Sequence, residues 1–441
     1  MSKHPFKSTI PLLQHTPMIH FQANQQGSTL RGTDLKPKID AFIWRKLKHR
    51  APELFQQYAE LITEQHFPKP SSSKQTATAY RIHLAADPVA YYVPTAYMKN
   101  DQKSEPQRQM KQYLGAQLGN RPLDVLGGTP YFANVDKISK GKWSEVRLAV
   151  QYQNVRVEVF SPIPKVKELV AAVLPFVLAE HNFGTRSSKG FGHFSVGGSD
   201  LPAHLGKLTP YRFRVKVENV PEAVALERLF EKIDLLYKSL RSGINMSFRR
   251  NGLYFKSLIF KYFYDRGIQW DKKSIKQHFY LRDLEKQEGS HQRKEESPLH
   301  FSSSQEHLVR DLLGLASSQD WLKPYNDTLT KASQPDEKTI ERFASPIWFK
   351  PVRSRDRKFF EVYVGANSVP GQLLHQGFAI SSKNKRIRPL TLTTPDEFDV
   401  HDFLQFAFEE VELAEHVDGR FHNSREYRDL AYMYDSIRRN Q

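Results

Sequence analysis

Apolar residues recur along this chain with two periods. At residues 35–47, Leu35, Ile39, Phe42, Ile43 and Leu47 share one helical face. Thr33 or Asp34 is the expected cap, and Pro37 is tolerable in a first turn. Helical spacing recurs over 53–65, 107–118, 221–241, 271–284, 398–416 and 424–438. A helix from Pro164 carries Val166, Leu169, Val170, Val173, Val177 and Leu178 on its apolar side, with Pro175 expected to kink it. Strand patterns lie between the helices. Residues 8–22 read as a strand interrupted by Pro11 and Pro17, hence bulged or on an edge. Short strands are expected at 80–84 and 90–97. Residues 146–152 and 155–160 alternate around Gln153-Asn154 and predict a β-hairpin, as do 344–352 and 359–364. Residues 210–217 alternate as a further strand, and 253–264 leave helix and strand both open.

The first half therefore reads strand, helix, insert, hairpin, helix, glycine-rich loop, strand. That order suits a βαββαβ unit, an antiparallel sheet with two helices on one face. Strand, helix, hairpin, helix then returns without clear sequence repetition. The expected fold class is α+β, with two ferredoxin-like (RRM-like) domains carrying insertions. Residues 1–207 form the first, with an insert at about 51–140 and a loop at 183–193. Residues 208–441 form the second, with the composition of a disordered segment at 287–305 and a helical C-terminus.

Composition narrows the function. Hydrophobic residues are 39% and charged residues 26%, which fits a globular chain. No apolar run approaches the roughly 20 residues that span a bilayer, and the N-terminus lacks the apolar core of a signal peptide. Cysteine is absent, so there are no disulfides, thiolate metal sites or cysteine nucleophile, and a reducing cytoplasm is the expected setting. Net charge is +17, and it is clustered. Residues 1–50 hold nine Lys/Arg against two acids, 238–276 ten against two, 349–360 five against one, and 383–388 four against none. Clustering of this kind points to an extended polyanion, with nucleic acid the first candidate and a membrane surface a poor one.

The stretch from His181 to Phe194 combines glycines with Arg186, Lys189 and two serines, and holds no acid. Glycines let backbone approach a ligand and turn N–H groups toward an anion. Phe191 or Phe194 offers a ring for stacking. The plainer reading is a tight connection whose aromatics belong to the core. Arg31, Lys36 and Lys38 surround a helix start, where free N–H groups favour phosphate. This turn is expected to face the loop across the sheet edge. Arg249 and Arg250 lie in a second basic loop.

Several stretches resemble one family. Thr16-Pro17-Met18, Leu30-Arg31, and the helix opening Leu35-Lys36 with Phe42, Trp44 and Arg45 are similar to the N-terminal signature of RAMP proteins, the RNA-binding subunits of CRISPR effector complexes. The stretch 184–192 resembles their glycine-rich loop, and 344–351 a hairpin strand of the same superfamily. In order, these elements most resemble the first RAMP subunit of the type III-B Cmr complex. The chain departs from the family at residues 19–24, where glycines are common, and matches only approximately at 42–45. The resemblance implies two ferredoxin-like domains and a non-catalytic role in antiviral defence: holding CRISPR RNA near its 3′ end and helping position single-stranded target RNA, beside other Cmr subunits. It implies RNA contacts at Arg31, Lys36, Lys38, Thr185, Arg186, Ser187, Ser188, Lys189 and Gly190. Gly184, Phe191, Arg249 and Arg250 complete the candidate set from the loops themselves. No cofactor, metal or membrane partner is expected.

Rival chemistries stay open at this stage. A metal-independent CRISPR-RNA-processing endoribonuclease of the same superfamily would need a general acid or base, from His15, His20, His181 or His193. A target-cleaving RAMP subunit would use an aspartate, with Asp34 and Asp40 in the right region. A scaffold without RNA contact predicts that the basic clusters scatter over the folded surface. No Walker-type or His-Glu-x-x-His motif occurs, and Gly190-Phe191-Gly192 is too short for a dinucleotide fingerprint.

Overall fold

The computed structural model describes residues 6–20, 30–67, 69, 79–94, 112–116, 118, 122–126, 147–246, 252–288, 306–321, 325–334 and 339–440. It is α+β throughout. By internal contacts the chain divides into two compact units. The first holds 1–234, 349–364 and 440–441, and the second 235–348 and 365–439. The 207/208 boundary expected from sequence falls inside the first.

The main sheet of the first unit is built from β1 (Lys7–Gln14), β2 (Arg81–Pro94), β3 (Ala149–Phe160) and β4 (Phe194–Val196), in the order β4-β1-β3-β2. All three pairings are antiparallel. Leu123–Leu126 adds outside β2, and Met18–Ile19 pairs with β3. Helices α1 (Gly32–Arg45) and α2 (Pro164–Glu180) cover one face. Leu35, Ile39, Phe42 and Ile43 from α1 meet Val166, Leu169, Val170 and Val173 from α2 in a core that includes Val155, Val157 and Val159 of β3. The helices also meet through stacked Phe42 and Phe176 rings, 5.8 Å apart.

The structure corrects several expectations. β1 is central in its sheet, although it carries Pro11. Residues 7–11 pair with β3 and residues 12–14 with β4, so Pro11 sits where the partner changes and its missing N–H breaks no ladder. The expected hairpin at 146–160 is one long strand. Asn154 takes a left-handed conformation (φ 51°) and donates to Asp87 Oδ2 at 3.0 Å, opposite register shifts in β2. The buried positions change from Val150 and Tyr152 to Val155 and Val157 across this point, which marks a bulge. Helix α1 starts at Gly32 with Arg31 as its N-cap, ahead of the expected Thr33 or Asp34. Side chains larger than glycine at 32 would strike the Ile82 carbonyl of β2.

A second, three-stranded sheet has the order β6-β7-β5, from β5 (Arg212–Lys216), β6 (Ile347–Arg353) and β7 (Phe359–Ala366). Its β5 leads into α3 (Glu222–Arg241). The 344–364 hairpin forms as its alternation predicts.

Within the second unit, a six-stranded sheet runs Gln269–Trp270, Glu306–His307, Leu390–Thr393, Gly377–Ser382, Asp327–Ser333, Ser318–Trp321. Sequence pattern gives no warning of it, because strands of two to seven residues are too short to show period-2 alternation. The helix expected at 398–416 is broken. Val400–Gln405 passes into a π-helical turn, Phe406–Glu410, before Leu413–His416. The Arg438 guanidinium donates to the Phe408 and Val411 carbonyls at 2.8 and 2.6 Å, satisfying groups that the break releases. Residues 253–264 resolve into a short strand, Tyr254–Phe255, and a helix, Leu258–Tyr264. Among the described residues no helix is long and apolar enough to cross a membrane.

Candidate nucleic-acid interface

The loop leaves α2 at Glu180 and enters β4 at Phe194. Four of its residues have positive φ: Gly184, Arg186, Gly190 and Gly192. At Gly192 glycine is obligatory, since any Cβ would overlap the Phe183 carbonyl. At Arg186 (φ 60°) a side chain is carried in a conformation that disfavours one, a local strain often met at functional turns.

Hydrogen bonds fix the loop from three sides. Phe183 N–H donates to Gly192 O at 2.9 Å and closes its neck. Thr185 donates to Ile19 O through both its N–H (2.8 Å) and hydroxyl (3.0 Å). The buried Thr16 hydroxyl donates to Gly190 O at 2.6 Å, and Gly192 N–H donates to Pro17 O at 3.0 Å. The Thr16-Pro17 pair of the sequence motif is thus the floor of the loop. Strand β6 holds the far side: Phe349 N–H donates to Ser188 O at 3.2 Å, and Asn182 Nδ2 donates to both Ser187 O (2.7 Å) and Phe349 O (2.8 Å).

This frame changes the role of several candidates. The N–H groups of residues 183, 185, 189, 190, 192 and 193 serve the protein itself, so the loop does not offer a continuous nest of donors. Phe191 is fully buried and stacked on Phe230, with ring centroids 3.9 Å apart and planes within 4°. No base can reach that ring, and Phe191 leaves the set of RNA-contacting candidates. Phe194 is likewise core. Gly190 is also buried, against Pro351. Thr185, Arg186, Ser187, Ser188 and Lys189 remain partly exposed on one short segment.

The helix-start residues separate. Lys36 pairs with buried Asp40 at 2.8 Å and lies 4.0 Å over the Tyr80 ring, while the Tyr80 hydroxyl donates to the same carboxylate. It therefore holds α1 to β2 and is withdrawn as a phosphate contact. The same bonds explain Asp40, whose carboxyl burial pushes upward, as structural. Lys38 points the other way, 5.9 Å from the Phe183 ring at the loop's neck, and burial lowers its ammonium's pKa. Arg31 stays partly exposed at the N-cap. Arg249, Arg250, half of the 51–140 insert and most of segment 287–305 lie outside the described residues.

Cations gather at this end of α2. Glu180 is paired with Lys46 (2.7 Å) and Arg50 (3.5 Å). Lys350 of β6, 1% exposed, donates to Asn182 Oδ1 at 3.3 Å. Burial lowers its ammonium to about 7, with Glu180 opposing and Lys38 adding to the effect. His181 is pushed down to about 3 by burial and by Lys38, Lys350 and Lys46. Sequence reasoning missed Asn182, Lys350 and Thr16 as supports of the loop. The only signal was the family-like stretch 344–351, which reads as a hairpin strand and not as a partner of residues 182–190.

Two of the histidines are internal struts. His15 and His193 have rings 5.2 Å apart. His193, fully buried, donates from Nδ1 to the Pro351 carbonyl at 2.9 Å. His15 accepts from Arg353 N–H at Nδ1 (3.2 Å), which leaves Nε2 to donate to the Ser195 hydroxyl at 2.8 Å. Burial lowers both, His15 to about 4.

The second unit holds a cavity of about 780 Å³ of opposite character. Asp396, Glu397, Asp399 and Asp402 line it beside Tyr262 and Arg266. Asp402 accepts from Tyr262 (2.6 Å) and Arg266 (3.2 Å), and Asp399 caps the helix at Val400.

Comparison with known proteins follows the two halves. Residues 5–244 match the model of the Cmr1 N-terminal domain, and residues 254–429 that of the Cmr1 C-terminal domain. No curated protein sequence matches. Among solved structures, the apo crystal structure of Cmr1 from Pyrococcus furiosus aligns at 11% identity and a TM-score of 0.31, covering 91% of this chain and 95% of that one. A cryo-EM structure of type III-B Cmr-beta bound to cognate target RNA and AMPPnP aligns at 10% identity and a TM-score of 0.30, over 82% and 94%. Likeness at that level carries no argument about geometry or function.

Proposed function

The chain belongs to the Cmr1 family in both its halves, and from that premise we propose that it is a non-catalytic RNA-binding subunit of a type III-B Cmr complex. It holds CRISPR RNA near its 3′ end and helps position single-stranded target RNA, in the cytoplasm, beside the other subunits. The finer fold reading belongs to the same proposal: two ferredoxin-like domains. The order β4-β1-β3-β2 supports it for the first, and β5 with the β6-β7 hairpin supplies three of the four strands for the other.

The observation that carries the RNA reading is the segment Thr185–Lys189. It is partly exposed, carries Arg186 and Lys189 and no acid, and its backbone is held by hydrogen bonds to the rest of the unit, with the Lys189 ammonium itself buried. Arg and Lys neutralise phosphates, and serine hydroxyls fix the backbone without reading bases. Lys38 lies beside the loop's neck, 5.9 Å from the Phe183 ring. Burial and committed hydrogen bonds at His15 and His193 favour binding over acid–base chemistry there.

The test is binding of a single-stranded RNA oligonucleotide across a salt series. Arg186→Ala with Lys189→Ala should weaken binding about tenfold and flatten the salt dependence by about 0.7 per lost contact, with unfolding unchanged. Unaltered affinity and slope would return the loop to a structural role. Specific cleavage of repeat RNA, abolished by His15→Ala, would favour the endoribonuclease instead.

A further inference from the structure

The Asn182 side chain ties the RNA-facing segment to β6, and its amide makes three bonds. Nδ2 uses both hydrogens, on Ser187 O and Phe349 O. Oδ1 accepts from the Lys350 ammonium. Only one orientation of that amide satisfies all three. A flip would set NH2 against the ammonium and an oxygen against two carbonyls. The two carbonyls select that orientation, and the Lys350 ammonium reinforces it from the other side of the amide that holds Ser187. The neighbouring bond from Phe349 N–H to Ser188 O holds the next residue in the same register. Lys350 itself is buried.

We infer that Lys350 is a positioning residue for RNA binding: it locks the Asn182 amide, which holds Ser187–Lys189 in the conformation that meets the phosphate backbone. The inference rests on the RNA-binding reading of that loop. A buried ammonium is an unfavourable device for stability alone, since an apolar chain of the same length would fill the site without desolvating a charge. Its retention has a reason if the charge fixes a hydrogen-bond pattern. Groups that face it are Glu180 at the end of α2, Lys38 on α1, and His181 and His193 at the two ends of the loop. Both histidines are held well below neutrality, so neither changes charge together with Lys350.

The full-length protein separates the outcomes. Lys350→Met should weaken single-stranded RNA binding by about fivefold or more while leaving the salt slope at the wild-type value, because no phosphate contact is lost. Its melting temperature should equal or exceed that of wild type. Asn182→Asp keeps a partner for the ammonium but removes both donors, so it should weaken binding to a similar degree. Combined with Lys350→Met it should add little. Wild-type affinity should fall as pH rises through about 7, the value of Lys350, and the Lys350→Met profile should be flat there. Arg186→Ala is the reference. Should it reduce binding while Lys350→Met and Asn182→Asp do not, the positioning role is wrong and the loop reading stands. A salt slope reduced in Lys350→Met would mean direct contact and overturn positioning. A lowered melting temperature with unchanged affinity would mean a structural strut and overturn it too. If Arg186→Ala also has no effect, the RNA reading of the loop fails and this inference fails with it.

Discussion

The loop of the first unit and the cavity of the second are both built at helix ends, with opposite signs of charge. Helix α2 ends at the loop, where unsatisfied carbonyls and the dipole already favour cations. Glu180 adds a further negative charge, and Lys46 and Arg50 answer it. Lys38, Lys350, Arg186 and Lys189 add further positive charge around it. At the cavity, carboxylates sit at the start of the helix from Val400, and Asp399 is used as its cap. Asp402 is used by Tyr262 and Arg266, and Asp396 by His375. Charge at a helix end is therefore explained first by the helix, and only the surplus speaks of a ligand. Around the loop the prevailing charge is positive. A phosphate backbone entering the cavity would meet carboxylates.

The largest expected effect breaks the loop outright. Gly192→Ala places a methyl on the Phe183 carbonyl at φ 66°. It should destabilise the protein by about 2–4 kcal/mol in chemical denaturation, with RNA binding lost alongside. An alanine that leaves stability and binding intact would mean that the neck is not rigid.

Charge removal sharpens the contrast next. Arg186→Ala with Lys189→Ala should weaken RNA binding about tenfold, whereas Asp396→Asn with Glu397→Gln in the cavity should leave affinity and salt slope unchanged. Equal effects at both places would dissolve the distinction between them.

A smaller effect concerns pH and stability. Lys350 has about 7 folded against 10.5 free. Below pH 7 both states carry the proton and the folded state bears the full burden of a buried charge. Between pH 7 and 10.5 the unfolded chain binds more protons, so stability rises with pH, at a slope of at most about 1.4 kcal/mol per unit. Paired melts of wild type and Lys350→Met should therefore converge as pH increases through that window. A constant gap would place the titration elsewhere. Smallest is Asp399→Ala, which should remove about 1 kcal/mol through the lost cap and leave RNA binding unaltered. A change in RNA affinity would tie the cavity to the nucleic acid.

Much of the first unit was legible in the sequence because its elements are long. Helices α1 and α2 show full turns of apolar spacing, and the loop between α2 and β4 announces itself by glycine and charge. The bulge at Asn154 was misread because a one-residue slip of phase and a two-residue turn leave the same local pattern, and only the partner strand tells them apart. The six short strands of the second unit were invisible for lack of length.

The sequence by itself determined the family and the α+β class. Those follow from local composition and order, which survive in one dimension. What only the tertiary structure decided is which members of each motif face outward. Lys36 and Phe191 share motifs with Lys38 and Arg186, yet one is bound to Asp40 beneath Tyr80 and the other is stacked on Phe230. Lys350 lies about 160 residues beyond the loop in sequence and is joined to it by Asn182. Contacts over such separations depend on how strands are ordered in a sheet, and no local pattern encodes that.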